Sequence, residues 1–172
     1  MKTPLVNLIA VCCILLSLVL ACDSEHPSDA TLEENFYKYE ADLNLLAQMA
    51  IEDAAMIRVA PEFTWHKDNA DGKASKAALG FSDERYDEYK KIFRRIGKNN
   101  GILNYQPDQM LVLLSSRGLV TGGSSKGYAY LPKEPTELRE SLDNVSFKDS
   151  EKRIKIAYKR LRGNWYLFYQ VS

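Results

Sequence analysis

Cysteine is missing from everything beyond position 22, since Cys12, Cys13 and Cys22 are all that the chain has. The remainder therefore has no internal disulfide and no thiolate metal site, and its stability has to come from packing. Histidine is almost as scarce. His26 and His66 are the two in the chain, and neither has a nucleophile or a second ligand at a motif spacing. Charge of one sign is lacking too: 23 basic residues face 23 acidic ones. A neutral, mixed-sign chain has no electrostatic footprint for nucleic acid or for an anionic membrane surface. Metal and cofactor motifs are likewise not found, so none is expected.

One long apolar run is present, at the N-terminus. Met1-Lys2-Thr3-Pro4 carries a single side-chain positive charge, and Leu5 to Leu20 is broken only by Asn7 and Ser17. Sixteen helical residues rise about 24 Å, short of the roughly 30 Å hydrocarbon core of a bilayer. Asp23, Glu25 and Asp29 follow, with no Lys or Arg before Lys38. A short apolar run after a positive start, ending in a small residue, has the form of a secretory leader. An ordinary leader cut after Ala21 and an uncleaved short span are the alternatives.

Val19-Leu20-Ala21-Cys22 resembles the lipobox of bacterial lipoproteins. The resemblance implies a signal peptide over 1–21, a diacylglyceryl group on the Cys22 sulfur, and an acylated amino group on the same residue. Leu20 departs from the small or β-branched residue more common at its position. Asp23 resembles the inner-membrane retention signal of enteric-type bacteria; which membrane is used stays open. The expected location is the periplasmic face of the cell envelope. Removal of the leader takes away Lys2 alone, leaving 22 basic against 23 acidic residues. Residues 22–30 read as a polar tether on lipidated Cys22, in which His26 is solvated, and 31–172 as a single domain.

The domain is expected to be α+β, with two N-terminal helices packed on one face of a C-terminal antiparallel sheet of about four or five strands. Thr31 with Glu34 forms a capping box. Apolar residues at Leu32, Phe36, Tyr39, Leu43, Leu46, Ala50, Ala54 and Ile57 then predict one helix of about 28 residues, stopped by Pro61. A connection over 62–80 follows, with Phe63 and Trp65 pinning it to the core. Its run Asp68-Asn69-Ala70-Asp71-Gly72 resembles part of a calcium loop but lacks the ligand spacing and closing glutamate. A second helix starts at Ser82. It buries Tyr86, Tyr89, Ile92, Phe93 and Ile96 and ends in Arg94, Arg95, Gly97 and Lys98, which suit the helix dipole. Asn99-Asn100-Gly101 is a turn signal.

The period then changes. Met110 to Leu114 predicts a strand buried on both faces, with shorter strands at Leu119-Val120-Thr121 and Tyr128 to Leu131. Gly122 to Gly127 reads as the connection between them. It lacks the lysine and the following helix of a phosphate loop, with Ser124, Ser125 and Lys126 as the alternative, a contact for some other polar ligand. After a connection over 132–149, Arg153 to Leu161 alternates, Gly163-Asn164 turns, and Trp165 to Val171 returns as an inner strand.

The stretches 82–97, 115–120, 124–131 and 163–169 together resemble a recurrent set in small uncharacterised bacterial exported proteins. That resemblance implies no activity. The expected function is a membrane-anchored, non-catalytic interaction module with a protein partner, of the immunity type or an envelope accessory. The alternative is a small-ligand binder that uses an aromatic pocket on the sheet, lined by Tyr128, Tyr130, Tyr158, Trp165, Tyr166 and Tyr169.

Overall fold

The computed structural model describes residues 26–69, 79–97, 99–106, 108–119, 122–145, 147 and 154–172. The leader, Cys22, Asp23, most of the calcium-like run, Lys98 and Val120-Thr121 lie outside these. Among the described residues no helix is long and apolar enough to cross a membrane.

Among the described residues the architecture is α+β, with three helices rather than two and a seven-stranded antiparallel sheet rather than four or five strands. The expected long first helix is two: α1 (Asp29–Lys38) and α2 (Glu40–Glu52). At Tyr39 the backbone leaves helical geometry (φ −117°, ψ 19°). Its N–H still bonds back to Asn35 and Phe36, and its carbonyl accepts from Leu43 to open α2. Both helices bury their apolar residues in the same core, so the three-and-four spacing runs on across the break. The true N-cap is Ser28, three residues before Thr31; its hydroxyl accepts from the Thr31 N–H.

The end of the supposed long helix is strand β1 (Met56–Val59), which pairs with β2 (Thr64–His66) and with β3 (Ile102–Gln106). Two strands therefore precede α3 (Asp83–Ile96), and the sheet is not purely C-terminal. Local pattern missed them because β1 takes its second partner, β3, from far along the chain and β2 has only three residues. Phe63 and Trp65 do not pin this hairpin to the core. They are 52% and 50% exposed, whereas His66 is buried and accepts a hydrogen bond at Nδ1 from the Asp68 N–H.

Helix α3 keeps its expected cap at Ser82 and its buried face. Arg95 grips Asp42 of α2 through paired hydrogen bonds, and Arg85 reaches Glu52 and Asp53 at its end. Tyr89 donates to the same Asp53, and burial beside that carboxylate raises its pKa.

The remaining strands are β4 (Gln109–Leu119), β5 (Gly122–Tyr130), β6 (Lys155–Arg160) and β7 (Trp165–Val171), giving the order β2-β1-β3-β4-β5-β7-β6. The glycine-serine run expected as a connection is the first half of β5. Glycine and serine carry little strand signal, but here they are paired on both sides by β4 and β7. The final hairpin falls where alternation put it, and β7 is an inner strand. Beside β6 runs the connection around Leu138, which bonds to both backbone groups of Tyr158 and covers that edge.

Helix residues share one buried cluster with Met56, Val59, Ile102, Val112, Tyr128, Trp165 and Leu167 of the sheet. The opposite face buries Leu111, Leu113, Ala129, Tyr166 and Phe168. Hydrogen bonds fasten helices to sheet: Tyr128 Oη to the Leu32 carbonyl (2.8 Å), Trp165 Nε1 to Asn44 Oδ1 (2.8 Å), and Asn104 Nδ2 to the Ala50 carbonyl (3.3 Å).

The β4–β5 register shifts between Leu113 and Ser115. Such a bulge sets two residues against one and re-aims the side chains that follow. Leu114 and Ser115 are therefore both on the helix side, as is Arg117 after them. Gly127 sits opposite this bulge, where a Cβ would collide with the Val112 carbonyl oxygen. Gly127→Ala is expected to lower stability by about 1–3 kcal/mol, the usual cost of overpacking, as read from urea denaturation. An unchanged midpoint would contradict the bulge geometry.

Candidate functional site

A polar cleft of about 450 Å³ is walled by the chain leading into α1, by β4 and β5, and by the turn around Asp143. Its construction starts at Ser28. By capping α1, Ser28 fixes where the next residue, Asp29, leaves the tether, and Asp29 is only 2% exposed. Asp29 Oδ2 accepts from the Leu142 N–H (2.8 Å) and from the Ser141 hydroxyl (3.1 Å). Its Oδ1 lies 2.8 Å from Lys126 Nζ.

Lys126, from the middle of β5, is also 2% exposed. Its ammonium donates to Asp143 Oδ1 (2.7 Å), and the same oxygen accepts the backbone N–H of Asp29 (2.8 Å). Asp143 thus occupies the positive end of α1, where a carboxylate is favoured. Lys159 of β6 completes the group, 2.5 Å from Glu33 Oε1 and 3.5 Å from Asp29 Oδ2. Burial alone would raise the Asp29 pKa. The ammonium of Lys126, the Leu142 N–H and the charge of Lys159 together hold it below its ordinary value.

His26, expected to be solvated, is docked on the sheet. The His26 ring lies between two serines, with Nδ1 2.9 Å from Ser115 Oγ and Nε2 2.7 Å from Ser124 Oγ. One ring nitrogen donates and the other accepts, and the hydroxyls rotate to suit. The His26 ring and that of Tyr169 form a T-shaped pair with centroids 5.5 Å apart. Burial, then the charges of Arg117 and Lys126, lower its pKa. The Ser124–His26 distance is that of a nucleophile and its base. Here, however, the second nitrogen meets a hydroxyl where a carboxylate would stabilise the imidazolium, and two cations oppose protonation. The contact fastens His26 to β4 and β5.

The six aromatic residues expected to line a pocket do not converge on one. Tyr128, Tyr130, Trp165 and Tyr169 are on the helix side, whereas Tyr158 and Tyr166 pack on the opposite face. Tyr169 alone of them lines the polar cleft. Tyr128 lines a separate groove under α1 and α2, and Tyr130 a shallow dent near Asn104. Trp165 and Tyr166 are core residues. Sequence reasoning passed over Asp29, Ser115, Arg117 and Asp143, and reached Lys126 only as a minor candidate, with Ser124 and Ser125, for a polar ligand. Their one local signal was Ser28-Asp29, a cap followed by an acidic first-turn residue; the rest needed the register of β4 and β5.

Comparison of the chain with family profiles, with curated proteins and with solved structures found no match in any of the three.

Two outcomes test the cluster. Lys126→Met leaves a buried carboxylate uncompensated and is expected to cost about 3–5 kcal/mol of stability; a loss under 1 kcal/mol in urea denaturation would show that the pair is solvated. The second is a pH dependence. Because the folded His26 pKa lies below 6.5, the unfolded chain binds more protons just below that pH. Stability from this group is complete above pH 6.5 and lost as pH falls through the lowered value. Asp29 acts in a more acid window, its contribution present above pH 3.8 and lost as pH falls through its own lowered value. His26→Gln is expected to flatten the first loss and Asp29→Asn the second. Parallel slopes in wild type and His26→Gln through the imidazole window would refute the docked histidine.

Proposed function

We propose that this chain is a cell-envelope lipoprotein, held on a membrane by lipid on Cys22, whose domain acts by binding and not by catalysis. The observation that carries the reading is that the polar cleft is built partly from the root of the tether. His26 and Ser28 line it, and four residues after Cys22 span at most about 14 Å. A ligand in the cleft is therefore held close to the bilayer. The closed ion cluster behind the cleft and the serine-bound histidine give it fixed polar walls, as recognition of a small ligand requires. At about 0.8 kcal/mol per buried CH₂, two or three acyl chains make the attachment effectively permanent.

A protein partner is the second reading. The observation that favours it is the three-residue edge strand β2 with half-exposed Trp65 beside half-exposed Phe63. An aromatic pair on the outermost of the described strands suits a partner that adds a strand.

Mass spectrometry of protein purified from membranes tests the anchor. The expected product begins at Cys22 and carries a diacylglyceryl group, and Cys22→Ala is expected to leave the membrane fraction or keep its leader. An unmodified Cys22 thiol in the wild type, or a leader still attached to it, would remove the anchor from the proposal.

A further inference from the structure

We infer that the polar cleft at the tether root takes a neutral polyhydroxyl ligand, a sugar ring of an envelope glycan or a free saccharide. The inference rests on the reading of this cleft as a binding site and names the class of its ligand.

Charge balance is the first argument. Arg117 and Lys126 contribute two cations, and Asp143 in the wall with Asp29 behind it contributes two carboxylates. Lys126 is already engaged by both. A charged ligand entering such a site would shed its water without a net opposing charge to replace it. The site is too balanced for a phosphate and too balanced for an amine.

The open polar atoms are the second. Asp143 commits Oδ1 to Lys126 and to the Asp29 N–H. Its Oδ2, the Asn144 amide and the Tyr169 hydroxyl have no hydrogen-bond partner among the described residues, and all three side chains line the cleft. Together they present acceptor and donor groups of mixed kind. Hydroxyls are the ligand groups that both donate and accept, so a ring carrying several of them can use each wall group.

An apolar wall is the third. Leu142, Val145 and the Tyr169 ring line the same cleft, and Tyr169 stacks on Phe147 at 5.9 Å and 24°. A ring backed in this way is a fixed platform whose electron-rich face suits the C–H face of a sugar. The volume of about 450 Å³ lies within the range of small-molecule sites.

The test uses the full lipidated protein in a detergent without a sugar headgroup. Amide shifts in NMR are followed with glucose, N-acetylglucosamine, maltose and inorganic phosphate as separate probes at millimolar concentration. At least one saccharide is expected to shift residues around Ser124, Asn144 and Tyr169, and phosphate to leave them unmoved. Asn144→Ala and Tyr169→Phe each remove one hydrogen-bonding group, so saccharide affinity is expected to fall about three- to tenfold in each. The same two variants are expected to keep the wild-type unfolding midpoint. Phosphate shifting these residues while no saccharide does would overturn the ligand class and leave the cleft as a binding site. Silence with all four probes would overturn both. Saccharide shifts that neither variant weakens would place binding elsewhere and overturn the inference.

Discussion

The ammonium of Lys126, enclosed between the carboxylates of Asp29 and Asp143, is the contact on which the rest of the described architecture depends. Taking such an ion out of water costs several kcal/mol even after relaxation. That cost is offset only if every remaining hydrogen-bonding group is met. Asp29 meets the Leu142 N–H and the Ser141 hydroxyl, and Asp143 meets the first N–H of α1. Three segments far apart in the chain must therefore be in place together: the start of α1, the middle of β5 and the turn at 141–143. A cluster of this kind adds less to stability than its contacts suggest, but it is severe about register.

Register is what gives the cleft its walls. A strand that alternates strictly would carry Ser115 and Arg117 to the far face of β4. The bulge after Leu113 returns them to the helix side, opposite Lys126 and Ser124 of β5. Gly127 permits it, because the Val112 carbonyl needs the space a side chain would fill. His26 then bridges Ser115 and Ser124, and the chain emerging from the N-terminal segment becomes part of the site. The start of α1, the sheet and the cleft are joined at one place.

Legibility followed the range of the interactions. Helix α3 could be read with its cap at Ser82 because capping and a three-and-four apolar stripe are local. The β6–β7 hairpin could be read because alternation and a Gly-Asn turn are local as well. β1 and β2 could not. Residues of β1 continue the helical spacing of α2, and they become a strand through pairing to β2 and to the remote β3. The glycine-serine run reads as a connection because its partners β4 and β7 leave no mark on it. Lys126 in such a run looks like a surface lysine until Asp29 and Asp143 are brought to it from elsewhere in the chain. The aromatic residues expected to form one pocket were divided between two faces by the two-residue period of β5, β6 and β7.

From the order of residues alone came the confinement of cysteine to the N-terminal segment, the absence of charge bias, the α+β class and the hydrophobic stripe of α3. Each of these depends on composition or on neighbours within about a turn, so no knowledge of the rest of the chain is needed. Tertiary structure alone decided the break at Tyr39, the seven-strand order, the bulge that re-aims Ser115 and Arg117, and the burial of Asp29, Lys126 and His26. Those depend on which remote backbone supplies a hydrogen bond and which remote charge replaces lost water, and such partners are fixed only when the chain closes on itself.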